Sequence, residues 1–99
     1  SLNFINFRDL HNKPRPTRQI TPIYPPALKS QGIEGRVLIR FDIDKQGNVV
    51  DATAKKSDHP AFAAYAVDAV RKWKFEPGMQ DGEPVPFTMI APIVFSLSN

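Results

Sequence analysis

Between residues 36 and 43 the chain reads RVLIRFDI, in which apolar and polar positions alternate with a period of two. Val37, Ile39, Phe41 and Ile43 fall on one face, and Arg36, Arg40, Asp42 and Asp44 on the other, interrupted by Leu38. That pattern predicts a half-buried strand with its acids toward water. The following DKQGN supplies turn chemistry around Gly47, and VVDATAKK returns with Val50, Ala52 and Ala54 inward, so the two runs predict a hairpin. The period then changes. Phe62, Ala63, Ala66, Val67, Val70 and Trp73 recur at three- and four-residue steps, which predicts a helix of three to four turns, capped by Ser57 or Asp58, with Pro60 in its first turn and its end at KFEPG. After the turn MQDGEP the alternation resumes in VPFTMIAPIVFSL, where Phe87, Met89, Ala91, Ile93, Phe95 and Leu97 point one way.

Upstream, Pro25 and Pro26 suit a first helical turn, and ALKSQG ends where Gly32 can take the left-handed C-terminal position, so a short helix is expected there. Residues 1–20 alternate only briefly before Pro14 and Pro16 impose extended backbone, and they read as an arm. Its Phe4, Ile5 and Phe7 suit docking on the domain, docking on another chain, or a partly ordered end. The order short helix, strand, strand, helix, strand predicts an α+β fold: a three-stranded mixed sheet in the order second, first, third, one long helix on one face, and a short N-terminal helix. The expected boundaries are an arm at 1–19 and one domain at 20–99.

A chain of 99 residues supports a single core. Ten prolines, crowded near 14–26 and 77–92, mark local constraints rather than a low-complexity tract. The absence of cysteine removes disulfides, thiol nucleophiles and thiolate metal sites together. A net charge of +3 favours anions, but the basic residues are scattered, and no nucleic-acid partner is expected. FTMIAPIVFSL is far short of the ~20 residues that span a bilayer. Opening on Ser1 without Met, the sequence is expected to be part of a longer protein.

Catalytic candidates are weak. His11 lies in the arm and His59 at the start of the long helix, where a lone histidine is far more often a capping or surface residue. Asp42 and Asp44 share a strand face, which hairpins carry routinely, and the glycines have no phosphate-cradling spacing. No catalytic residue, metal ligand or cofactor is expected. The last strand stands out: it is apolar on both faces near Ile90–Phe95, and it contains Pro92, which lacks a ladder donor and suits a sheet edge. Such an edge is either covered, here by the arm, or used to capture another strand, and physics alone favours the two equally.

PIYPPALKSQGIEGRVLIRFDIDKQGNVVDATAKKS, AFAAYAVDAVRKWKFEPGMQDGEPV and PIVFSL together resemble the TonB C-terminal domain family of Gram-negative energy transducers. The resemblance spans about residues 13–97. Its marks are Tyr24-Pro25, the glycines at 32 and 35, the Asp44-to-Gly47 turn and the Trp-Lys-Phe-x-Pro-Gly block at 73–78. It implies a periplasmic, non-enzymatic domain, anchored in the inner membrane by an N-terminal helix and working with a proton-driven ExbB/ExbD-type complex. It further implies capture of the TonB box of an outer-membrane transporter, such as one for siderophore uptake, as an added strand. The partner-binding positions carried over are Thr21, Pro22, Ile23 and Tyr24 before the short helix, and Ile90, Ala91, Pro92, Ile93, Val94, Phe95 and Ser96 on the last strand. Monomer and homodimer are both open. The alternative class is a small basic sheet domain binding cell-wall polymer or nucleic acid. Tyr24 is expected to be mainly structural, with its ring buried and its hydroxyl toward water or a partner.

Overall fold

The computed structural model describes residues 4–97, so the outermost residues of the expected arm and domain, 1–3 and 98–99, lie outside it. Strand β1 (Ile5–Asn6) and a 3-10 turn (Phe7–Asp9) lead to β2 (Pro16–Arg18), helix α1 (Pro26–Ser30), β3 (Gly35–Ile43) and β4 (Val49–Ser57). Helix α2 (Pro60–Val70), β5 (Lys74–Phe75), β6 (Gly78–Gln80), β7 (Glu83–Val85) and β8 (Phe87–Phe95) complete the chain. The main sheet has the order β1-β8-β3-β4, while β2 pairs with β5 and β6 with β7. The hairpin strands and the last strand therefore hold the expected order, with β8 antiparallel to β3.

The sheet has four strands, not three. Ile5 pairs with Phe87 and Asn6 with Thr88 in parallel, and the Ile5 N–H donates to the Pro86 carbonyl at 3.2 Å. The described part of the arm thus begins as a strand, and the short helix α1 stands after it. What holds the arm is apolar burial: Leu10 joins the core, and Phe7 meets the Phe87 ring at 6.1 Å, with the Lys13 ammonium 5.6 Å from the centre of the Phe7 ring. Further along, the Asn12 amide oxygen accepts from Met79 N–H at 2.8 Å, and the His11 N–H donates to the Met79 carbonyl at 3.0 Å. Expected as a turn, MQDGEP is instead a hairpin whose Asp81 and Gly82 both take positive φ.

Val37, Ile39, Phe41 and Ile43 are buried beneath α2, together with Phe62, Ala66 and Val70 of its apolar stripe. One outward and one inward expectation change. Asp42 is only 5% exposed, in the central strand between Asp51 of β4 and Thr88 of β8, so it is flanked on both sides rather than turned to water. Val50 is 56% exposed because the β3–β4 register slips between Asp42 and Ile43, leaving Val50 as an extra residue that the pleat no longer turns inward.

The α2 cap is His59, whose Nδ1 accepts from Ala61 N–H at 3.2 Å. Ser57 and Asp58 are engaged elsewhere: the Ser57 hydroxyl donates to the His59 carbonyl, and Asp58 Oδ2 accepts from Arg36 N–H at 2.9 Å. Gly47 shows why its turn requires glycine. Its φ is +89°, and an added Cβ would meet the Phe75 carbonyl oxygen, while its own carbonyl accepts from Phe75 N–H at 2.8 Å.

Candidate strand-docking edge

The direction of each backbone group on β8 follows from one bond. Because Pro86 turns its carbonyl toward β1, and a strand residue sends its N–H and C=O to the same side, the even-numbered residues of β8 face away from β3. Thr88, Ile90, Pro92 and Val94 therefore address the outer edge, and Met89, Ala91, Ile93 and Phe95 serve the β3 ladder. The missing N–H of Pro92 costs that ladder nothing. Among the described residues no strand lies on the outer side of Ile90 to Val94, since β1 pairs only with Phe87 and Thr88.

Side chains divide the same residues by face. Ile93 and Phe95 are buried against the core, whereas Ile90 and Val94 are 57% and 63% exposed on the face opposite α2. Leu38, the register partner of Pro92, adds to that apolar strip. Among the described residues, one end of the open stretch is closed by the chain itself, and the other is not. At one end the arm leaves the edge beside a depression of about 370 Å³ lined by Asn6, Phe7, Arg8, Met89 and Ile90. At the other, Leu97 N–H donates to Glu34 Oε2 at 2.7 Å, next to a second depression of about 290 Å³ that includes Arg36, Asp58, Val94 and Ser96.

The segment before α1 is held at two points. Trp73 Nε1 donates to the Ile20 carbonyl at 2.8 Å, and Tyr24 lays its ring edge-on against Phe62 and Phe95, with centroids 5.7 and 5.5 Å away. Thr21, Pro22 and Ile23 span these anchors, Thr21 and Ile23 exposed and Pro22 half-buried. Of the four candidates in this segment, Tyr24 is the one whose ring rests on a β8 side chain. Its hydroxyl does not face water or a partner: it donates to the Ile33 carbonyl at 2.6 Å, and partial burial, then the charge of Glu34, raise its pKa above the usual phenol value. Tyr24→Phe is expected to lower stability by about 1 kcal/mol through loss of that bond while keeping the ring contacts, as a urea melt of both chains would measure.

The chemistry of the remaining polar groups is structural. His11 Nδ1 accepts from Asp81 N–H at 3.1 Å, and His59 is a cap. Among the described residues no three His, Cys, Asp or Glu side chains gather as a metal site. Glu76 has its carboxyl held below the usual range, first by the backbone N–H of Arg15, at a place where the arm meets β5. No described helix is long and apolar enough to cross a membrane.

Glu34, Ile5 and Asn6 were not among the expected site residues. The only sequence signal for the last two is the brief apolar alternation of FINF, and Glu34 has none beyond its place before the first strand.

Taken together, the chain is a small α+β domain in which one long helix backs a sheet whose last strand is covered by the arm at one end of its outer edge. It belongs to the family described as Gram-negative bacterial TonB protein C-terminal, which it matches over residues 20–97. Protein TonB of Vibrio cholerae is 36% identical over 82 residues, covering 82% of this chain and 34% of that protein. Protein TonB of Xanthomonas campestris is 35% identical over 78 residues, covering 78% of this chain and 35% of that protein. This chain thus spans about a third of the length of these relatives. The solution NMR structure of Pseudomonas aeruginosa TonB CTD aligns with a TM-score of 0.71 at 30% identity, covering 87% of this chain and 88% of that one.

Proposed function

We propose that this domain is a non-enzymatic, periplasmic adaptor that captures an extended segment of an outer-membrane transporter, its TonB box, as a strand added beside β8. The observation that carries the reading is the open edge: Ile90 and Val94 direct N–H and C=O groups outward, with the carbonyl of Pro92 between them. Main-chain pairing there tolerates varied client side chains, and ordering a flexible peptide offsets much of the gain, so micromolar affinity is expected. The exposed span Thr21–Ile23 belongs to the same surface in this reading, with Tyr24 as its anchor. Energy input from an ExbB/ExbD-type complex, and anchoring in the inner membrane, rest on membership of the family and concern regions outside this chain.

Val94→Pro tests the capture. It removes an outward donor and leaves the β3 ladder and the core side chains in place, so the melt should stay close to that of the parent. Binding of a TonB-box peptide should weaken roughly threefold to tenfold, the worth of one hydrogen bond. Amide chemical shifts report the location: if the peptide moves another surface and leaves Ile90–Val94 and Thr21–Ile23 unchanged, edge capture is wrong.

A further inference from the structure

The edge of β8 is not open along its length, and what closes its first part is the arm. We propose that β1 is a register stop, which confines an incoming strand to Ile90–Val94 by keeping Pro86 and Thr88 engaged. This rests on the edge-capture reading and adds to it the residues that decide where a client begins.

Three observations support the stop. First, β1 pairs with the very groups a client would otherwise use, the Pro86 carbonyl and, by the parallel register, the outward groups of Thr88. Second, the arm is held well beyond the two paired residues. Phe7 packs on Phe87, Leu10 is in the core, and residues 11 and 12 are bonded to the β6 backbone, so displacing β1 works against all of these contacts. Third, the chain turns off the edge immediately after pairing. The 3-10 turn Phe7–Asp9, whose start is fixed by Asn6 Oδ1 accepting from Arg8 N–H at 3.1 Å, leads it away and leaves the depression beside Ile90 where a second strand can begin. The resulting slot is short and rich in acceptors: the outward groups from Ile90 to Val94 comprise three carbonyls but only two N–H donors, because Pro92 has none. It therefore favours a client strand without proline at the positions facing those carbonyls.

The experiment uses the full chain, a TonB-box peptide, and two variants that loosen β1 by different means. Ile5→Pro deletes the N–H donated to Pro86, and the double variant Ile5→Ser with Phe7→Ser removes the apolar anchors while retaining Leu10. In the parent, bound peptide should slow amide exchange at Ile90 and Val94 and leave Thr88, already paired, unchanged. In at least one folded variant, Thr88 should exchange rapidly without peptide and become protected with it, and affinity should rise roughly threefold to tenfold as the client gains a bond or two. Unaltered affinity together with protection ending at Ile90 in both variants would overturn the stop while leaving edge capture intact. So would release of Ile5 and Asn6 by peptide in the parent, because β1 would then yield to the client. A peptide that leaves Ile90 and Val94 unperturbed in all three chains would remove edge capture itself, and the stop with it.

Discussion

Trp73→Ala is expected to lower the stability of the domain by roughly 3 to 5 kcal/mol, the range for truncating a buried aromatic. The indole is 7% exposed, and it meets Phe41 edge-on at 6.0 Å and Phe75 at 6.3 Å, with Phe41 and Phe75 themselves 5.8 Å apart. Truncation opens a cavity among rings carried by β3 and β5, two elements that no local turn joins. It also strands the Ile20 carbonyl, which loses its donor. A domain of this size has about 5 to 15 kcal/mol in total, so the variant should melt about 12 °C or more below the parent. Trp73→Phe separates the two causes, since it retains most of the packing and loses only the N–H. A melt of Trp73→Ala within a degree or two of the parent would show that these rings do not form the joint between helix end and sheet.

The parts of this fold that could be read in advance are those in which burial imposes a period. The RVLIRFDI alternation reaches the structure as β3 because the Val37, Ile39, Phe41 and Ile43 face is wholly buried in the core. The three- and four-residue recurrence of Phe62, Ala66 and Val70 survives as α2 for the same reason. Pro92 indicated the edge, because a missing donor is tolerated only where no internal ladder needs it. What escaped was non-local or too short to have a period. Two residues of β1 carry too short an alternation to place a strand, and the bonds of His11 and Asn12 join positions nearly seventy residues apart. The slip that exposes Val50 is a matter of register, which alternation alone does not specify. His59 became the cap because the carboxylate of Asp58 is spent on β3, a competition visible only once the strands are placed. The open edge and its cover by the arm were therefore legible as alternatives, whereas the two-residue pairing at Ile5 and Asn6 that limits the cover to its first part was not.

Phe62→Ala should match Trp73→Ala in stability, again roughly 3 to 5 kcal/mol, but differ from it at the edge. Phe62 is fully buried and stacks on Phe95 with centroids 4.4 Å apart and planes 19° apart, and the Tyr24 ring stands edge-on to both. The backbone of Gly35, the register partner of Phe95, lies so near that an added Cβ would come within 2.8 Å of the Phe62 ring. Phe62 thus supports the last residue of β8 and the anchor of the segment before α1 at one place. Trp73 lies about three helical turns further along the chain, among other rings. At a temperature where both variants remain folded, Phe62→Ala should shift the amides of Tyr24, Val94 and Phe95 and weaken peptide binding severalfold. Trp73→Ala, which frees only the Ile20 anchor of that segment and leaves β8 supported, should weaken binding less. Phe62→Leu, which retains most of the buried volume, should recover much of the loss in both stability and binding. If the two alanine variants bound the peptide alike, the Tyr24–Phe62–Phe95 cluster would contribute to stability without setting the geometry of the docking edge.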